Sequence, residues 1–143
     1  MSKGTIYSIS ISPERGQLKT EVPKVKMTAG YGIEGDGHSG DWWRQITCLD
    51  WASLVKSNKE HGLDMGPGNF AENVLIAGMN FSDFTVGSKL KLGNGVILEV
   101  TQIGKENHPS IVSKTFGLSL LPSEGLFCIA ITGGVIKKGD LVE

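Results

Sequence analysis

Apolar and polar residues alternate in the first part of the chain. Residues 6–11 read IYSISI, which has the period of a half-buried strand. A turn at residues 13–16 follows, so residues 18–27 are predicted to return as the second strand of a hairpin. Pro23 interrupts this second run, and a proline within a strand is typical of an edge or a bulge.

The middle of the chain predicts two short strands that are separated by a helix. Residues 46–49 and 73–76 are apolar and have the length of strands. Asp50 is a suitable N-cap, so we predict a helix from residue 51 to about residue 61, which Gly62 ends.

The last third of the chain contains further strand signals. Residues 93–95 read GNG, a strong hairpin signal because asparagine and glycine tolerate positive φ. A short helix is predicted over residues 110–116, opened by Pro109. Strands are predicted over residues 89–92, 96–103, 126–132, 135–136 and 141–142. Many short strands with glycine turns and one or two helices favour a mostly β fold, a β-barrel.

Composition limits the class of protein. With 143 residues, the chain is predicted to form a single domain over residues 1–143. The net charge is −1 and no basic stripe is present, so we do not expect nucleic acid as a partner. Neither a signal peptide nor a membrane-spanning apolar segment is evident, which favours a cytoplasmic protein that does not bind membranes. Cys48 and Cys128 lie in apolar runs and are predicted to be buried free thiols.

The first candidate for chemistry is the segment GIEGDGHSG at residues 32–40, which Arg44 follows. Closely spaced glycines allow sharp turns and exposed backbone N–H groups. Asp36, His38 and Arg44 add a carboxylate, a titratable ring and a guanidinium that suits phosphate, sulfate or carboxylate. We interpret the segment as part of a binding site for a polar or anionic small molecule. A plain Asx turn with a solvated histidine remains the alternative.

The second candidate is GNFAEN at residues 68–73. Phe70 is expected to anchor this loop in the core. Glu72 and Asn73 either line the binding site or tie down the loop backbone, and a buried Glu72 paired with Arg44 would serve both roles. Lys105, at the end of a long strand, can rim the same cavity.

The sequence gives only a weak signal for a catalytic residue and none for a metal site. Cys128 is a weak candidate nucleophile, because its apolar neighbours favour an inert thiol. Asp36 and His38 lack a cysteine pair or a second nearby histidine, so no metal site is predicted.

The two glycine segments, in this order and at this separation, resemble the MOSC domain. That family is named for the C-terminal part of molybdenum cofactor sulfurases and also occurs as small stand-alone bacterial proteins. Residues 86–90, 98–106 and 139–140 extend the resemblance. It implies a closed β-barrel that binds a molybdopterin-type cofactor or carries sulfur for metal–sulfur centres.

The resemblance also implies which residues meet the cofactor. Arg44 and the glycine-loop amides would contact the pterin phosphate, and other side chains would line the pocket. The implied cofactor-binding residues are Gly35, Asp36, Gly37, His38, Arg44, Asn69, Glu72, Asn73 and Lys105.

One departure from the family is visible. The family usually has a cysteine after the long central strand, proposed as the sulfur carrier or metal ligand, whereas this chain has Asn107 and Ser110 there. We therefore expect a protein that binds phosphorylated molybdopterin or a related anion, in cofactor delivery or metal–sulfur metabolism. The expected partners are proteins of cofactor biosynthesis or molybdoenzymes. The alternatives are a sulfur-transfer or molybdenum-dependent enzyme component that uses Cys128, or a protein–protein adaptor with a vestigial pocket.

Overall fold

A computed structural model of the protein describes residues 3–106 and 109–143. Eleven strands, three short α-helices and a 3-10 turn at Phe81–Asp83 are found in these residues. The strands are β1 (Gly4–Ile11), β2 (Thr20–Val22), β3 (Lys24–Thr28), β4 (Gly32–Ile33), β5 (Ile46–Asp50), β6 (Val74–Ala77), β7 (Lys89–Leu92), β8 (Val96–Ile103), β9 (Leu126–Thr132), β10 (Gly134–Lys137) and β11 (Leu141–Val142). The helices are α1 (Trp51–His61), α2 (Ile111–Phe116) and α3 (Leu121–Glu124).

Seven strands of the described chain close into a barrel, in the order β11-β7-β8-β9-β5-β6-β1. The barrel closes because β11 pairs with the start of β1 at Gly4 and Thr5. The pair β5–β6 is parallel, which requires a crossover connection, and α1 lies within it. A second sheet has the order β10-β3-β4. Its strand β4 forms the start of the first glycine segment. The mostly β barrel predicted from the sequence is confirmed.

The barrel interior is filled by the inward-facing residues of its strands. In β7 and β8, buried and more exposed positions alternate, as the period of a pleated strand requires. A second apolar cluster lies outside the barrel, where Leu54 of α1, Val112 of α2 and Leu121 of α3 pack with Phe70 and Phe127. This outer cluster fixes the helices against the barrel wall beside the candidate site.

Local signals placed most elements correctly. Asp50 caps α1 by accepting a hydrogen bond from the Ala52 amide, and Gly62 ends the helix in the left-handed conformation, as predicted. The first hairpin is confirmed, with Ile9 opposite Val22. Pro23 separates β2 from β3, so the predicted return run divides between the two sheets.

The helix predictions need two corrections. The N-cap of α2 is Ser110, whose hydroxyl accepts from the Ser113 amide, so Pro109 lies outside the helix that it was predicted to open. The described chain also holds a third helix, α3, which no sequence pattern predicted. Its four residues are too few to show helical periodicity. No helix in the described ranges combines the length and the apolar character needed to span a membrane.

Candidate functional site

A cavity of about 270 Å³ opens where the two glycine segments approach the helices. Its lining residues include some from the first glycine segment and its extension and from α2, α3 and β9. The residues that decide its chemistry are His38, Trp42, Arg44, Ala71, Lys105 and Phe127. Three of the predicted site residues, His38, Arg44 and Lys105, therefore line one cavity.

Arg44 is held at the cavity by a neighbouring amide. Its Nε donates to Gln102 Oε1 at 3.2 Å, and its guanidinium lies 5.1 Å from the ring centre of Phe127. The Nη2 atom is 3.4 Å from a carboxylate oxygen of Glu106, whose side chain is 73% exposed. Since an ion pair with an exposed partner is weak, an anionic ligand can replace Glu106 at the guanidinium.

Lys105 adds a second cation to the same cavity. The pKa of Lys105 is lowered from its ordinary value, first because burial disfavours the charged amine and then because Arg44 repels it. Glu106 opposes this effect. Two like charges in one cavity favour an anion between them, because it relieves their repulsion.

His38 and Trp42 form an aromatic side of the cavity. Their rings are nearly parallel, with centroids 6.2 Å apart, and the indole Nε1 of Trp42 donates to the His38 carbonyl at 2.7 Å. The guanidinium of Arg15 lies 3.9 Å from the centre of the Trp42 ring. His38 and Trp42 thus add flat aromatic surface to the cavity, and the Arg15 guanidinium covers one face of the indole.

Asp36 lies behind the cavity and does not line it. Its side chain is fully buried, and Oδ1 accepts from the Lys19 ammonium at 2.7 Å and from the Ser12 amide at 3.1 Å. Oδ2 accepts from the His38 amide at 3.0 Å. The carboxylate therefore supports His38 from within the protein.

The amides of the first glycine segment are largely used within the protein. Gly37 donates its N–H to the Ser12 carbonyl at 2.8 Å, and the amides of residues 36, 39 and 40 also have backbone acceptors. A Cβ at Gly37 would lie 2.4 Å from the Glu14 carbonyl carbon, so this glycine allows the loop to pack on the β1–β2 turn. Gly35 has φ +87° and turns the chain toward Asp36. The predicted role of these amides in holding a phosphate is therefore not supported by this geometry.

The second glycine segment is tied down by its own polar side chains. The carboxylate of Glu72 accepts from the amides of Gly68 and Phe70, at 2.8 and 3.1 Å. Asn69 accepts from the Gly66 amide at 2.8 Å, and Asn73 joins the Thr47 amide to the Ser10 carbonyl.

These contacts match the structural alternative that the sequence left open for Glu72 and Asn73. Glu72 does not pair with Arg44, which instead contacts Gln102 and Glu106. Asn69, Glu72 and Asn73 lie beside the cavity without lining it. The segment contributes Ala71 to the cavity wall.

The burial of Glu72 predicts a specific pH dependence of stability. Its pKa is raised to about 7, because burial outweighs the hydrogen bonds from the loop amides. The folded state then holds a proton that the unfolded state has released, so the free energy of unfolding falls by about 3 kcal/mol as pH rises from the ordinary pKa of a glutamate to about 7. Glu72→Gln removes this part of the pH dependence, which urea unfolding at several pH values measures.

Glu60, an exposed residue on α1, provides the control for this experiment. Glu60→Gln should keep the wild-type profile between these pH values. If the free energy of unfolding of Glu72→Gln depends on pH as that of the wild type does, Glu72 does not take up a proton in the folded state.

Lys19 joins the two glycine segments, although it is not among the site residues predicted from the sequence. Its backbone amide donates to the Gly68 carbonyl at 3.1 Å, and its buried ammonium contacts Asp36 and His38. A lysine in a short strand-like segment reads as a surface residue, so no sequence signal marked it. The predicted convergence of the two segments occurs through this residue.

The cysteines are closed off from the cavity. Cys48 and Cys128 are fully buried free thiols on β5 and β9, as predicted. Their mutual hydrogen bond and burial raise the pKa of the Cys128 thiol well above its usual range. A buried thiol of this kind is a poor nucleophile.

Asn107, where the family usually has its cysteine, lies outside the described residues. In residues 3–106 and 109–143, no cluster of three His, Cys, Asp or Glu side chains that could hold a metal ion is found.

Known structures with the same fold are found among bacterial proteins. The YuaD protein from Bacillus subtilis superposes with a TM-score of 0.77 at 18% identity, covering 99% of this chain and 97% of YuaD. YiiM from Geobacillus stearothermophilus gives 0.75 at 22% identity, covering 97% of this chain and 74% of that one. YiiM from Escherichia coli gives 0.70 at 18% identity, covering 100% and 69%. At these identities, the likeness establishes the fold alone.

Family membership comes from the sequence itself. No curated protein matches the chain. The MOSC domain family, in contrast, matches residues 35–143, a range that starts in the first glycine segment and includes all the basic side chains that line the cavity. The chain belongs to the MOSC domain family.

Proposed function

We propose that the cavity binds a phosphorylated pterin of the molybdenum-cofactor type, or a related anion on a flat ring, and that the protein holds or delivers it. The single observation that carries the proposal is the presence of Arg44 and Lys105 on one cavity beside an aromatic surface. The association of the MOSC domain family with the molybdenum cofactor supports the choice of ligand.

The charges around the cavity fit an oxyanion. Arg44 has an exposed partner, Glu106, that a ligand can replace. Burial and then the charge of Arg44 disfavour the charged form of Lys105. A phosphate placed between the guanidinium and the ammonium would pair with both charges and relieve their repulsion. Charge-assisted hydrogen bonds of this kind are about twice as strong as neutral ones.

The walls fit the remainder of such a ligand. Trp42 offers aromatic surface, and Phe127, Val112 and Leu121 add apolar surface to the same cavity. A flat heteroaromatic ring gains free energy by stacking on such surfaces, while its phosphate is held at the basic end. Pockets that combine apolar walls with a few fixed polar groups are typical small-molecule sites.

The contribution of the chain in this proposal is binding and orientation. A bound molybdenum cofactor would itself supply redox and sulfur chemistry, whereas Cys48 and Cys128 are too buried to take part. Holding or delivering the cofactor therefore accords better with these residues than a reaction at Cys128. We propose the expected cytoplasmic setting and, as partners, proteins that make or use the cofactor.

Arg44→Ala should weaken binding of the phosphorylated pterin about 10- to 100-fold, because one charge-assisted hydrogen-bonding group is lost. Native mass spectrometry with metal analysis, on protein purified from a host that makes the cofactor, measures the bound fraction. Quenching of tryptophan fluorescence gives the affinity for an added phosphorylated pterin.

Lys91→Ala provides the matched control, because Lys91 is an exposed lysine on β7 and does not line the cavity. This variant should bind as the wild type does. Equal binding by the wild type and Arg44→Ala would overturn the proposal, and so would wild-type protein that carries no pterin and binds none when it is added.

A further inference from the structure

A buried lysine stands directly behind the histidine of the cavity. The side chain of Lys19 has no solvent exposure, and its ammonium has three acceptors within hydrogen-bond distance. These are Asp36 Oδ1 at 2.7 Å, Ser12 Oγ at 3.0 Å and His38 Nδ1 at 3.1 Å. The hydroxyl of Ser12 donates to the Glu14 carbonyl, which leaves its lone pairs for Lys19. All three ammonium hydrogens are thus used.

These contacts determine the protonation of His38. An ammonium group only donates, so His38 Nδ1 must accept and carries no proton. The competing arrangement would place a proton on Nδ1 and direct it to Asp36, but Oδ2 of Asp36 lies 3.8 Å from Nδ1, beyond hydrogen-bond distance. In a neutral imidazole with a bare Nδ1, the proton is on Nε2.

We propose that Lys19 is a positioning residue for the cavity: by donating to Nδ1, it holds His38 as the neutral imidazole with its proton on Nε2. His38 lines the cavity, and within the described chain no hydrogen bond engages Nε2. Among the described residues, none therefore competes with a ligand for the Nε2–H group. This inference rests on the proposed function, because the acceptor would be an oxygen of the bound oxyanion.

The surrounding charges keep this state over a wide range of pH. The charged groups that act on His38 are Lys19, Asp36, Arg15 and Lys105. Burial, followed by Lys19, lowers the pKa of His38 to about 4, and Asp36 opposes them only in part. Between about pH 5 and 8, where an ordinary histidine titrates, His38 should thus stay neutral.

The consequence is a division of roles at the cavity. Arg44 and Lys105 supply the charge that attracts an anion, and His38 supplies a directional donor that does not change with pH. Affinity for an oxyanion should then be independent of His38 titration. Sulfate is a suitable probe, because it stays doubly charged over this range whereas phosphate changes its own charge.

The direct test is a long-range ¹H–¹⁵N spectrum of the His38 ring in the wild-type protein, recorded from about pH 5 to 8 and assigned with His38→Gln. We expect a protonated Nε2, a bare Nδ1 and no titration. A proton on Nδ1, or an imidazolium that forms within this range, would overturn the inference. This measurement requires no variant to fold other than the one used for assignment.

Sulfate binding to Lys19→Met provides a functional measurement. Without the ammonium, the Asp36 carboxylate remains beside the ring and favours its protonation. The variant should therefore bind sulfate more than about threefold tighter at the low end of the pH range than at the high end, while the wild-type affinity changes less than about twofold. Equal pH profiles would count against the positioning role. Failure of the wild type to bind sulfate at all would instead count against the proposed oxyanion site and leave the spectrum as the test of the tautomer.

Discussion

Replacing Lys19 with methionine should lower the free energy of unfolding by about 3–5 kcal/mol, the usual cost of removing one partner from a buried ion pair. Both side chains of the Lys19–Asp36 pair have no solvent exposure. In Lys19→Met at about pH 8, where His38 should be neutral, Asp36 keeps its hydrogen bonds from the amides of Ser12 and His38 but loses its only bonded countercharge in the described chain. A buried carboxylate without a countercharge is more costly than the loss of one contact suggests.

The exposed pair Lys26–Glu34 is the matched control for this variant. Its nitrogen–oxygen distance is 3.6 Å, and its side chains are 66% and 48% exposed. Lys26→Met should therefore cost less than about 1 kcal/mol. Urea unfolding of the two variants beside the wild type gives both values. Similar losses in Lys19→Met and Lys26→Met would show that the buried pair carries no special stability.

Gly68→Ala should destabilise the protein by about 3–5 kcal/mol. A Cβ at this position would lie 2.0 Å from the carbonyl oxygen of Lys19, and the residue has φ +82°. The left-handed conformation costs an L-residue roughly 1–2 kcal/mol, and the overlap adds to it because a backbone atom cannot move aside as a side chain does. The hydrogen bond from the Lys19 amide to the Gly68 carbonyl would also be strained.

Gly62 separates these two contributions. It has φ +63° at the end of α1, and apart from its own chain neighbours and helix backbone no described atom lies within 4 Å of an added Cβ. Gly62→Ala should thus cost only the conformational part, about 1–2 kcal/mol. Thermal and urea unfolding of both variants give the comparison. A loss in Gly68→Ala no larger than in Gly62→Ala would mean that the two loops move apart without difficulty.

Glycine therefore has a different role in these motifs than the sequence suggested. Gly37 and Gly68 allow two loops to pack on neighbouring backbone, at the β1–β2 turn and at Lys19. The amides that were expected to face a ligand mostly bond within the protein. Positive potential at the cavity therefore comes from the side chains of Arg44 and Lys105. Ligand affinity should accordingly depend on these side chains, while the glycines determine stability.

Much of the fold could be predicted from local sequence. The bounds of β7 and β8 follow from alternation and from the GNG turn, because the pleat and the turn are both determined by neighbouring residues. Asp50 and Gly62 mark the ends of α1 for the same reason. The helix α3 has no such signal, since a helix of four residues depends on the surface that it packs against.

The candidate site could be predicted only in part from the sequence. Residue type identified His38, Arg44 and Lys105, because imidazole, guanidinium and ammonium groups have evident binding chemistry. It also selected Asp36 and Glu72, but a carboxylate that binds a ligand and one that holds a loop have the same side chain. Their hydrogen-bond partners distinguish the two roles, and those partners come from distant parts of the chain.

By itself, the sequence determined the family, the mostly β barrel and the basic groups available to an anion, since these depend on motifs, periodicity and residue type. Only the tertiary structure decided that Lys19 is buried, that it joins the two glycine segments, that Asp36 lies behind the cavity, and that Glu72 and Asn73 hold loop backbone beside it. The physical reason is that burial and hydrogen-bond partners depend on contacts between residues far apart in the chain, which no local pattern encodes.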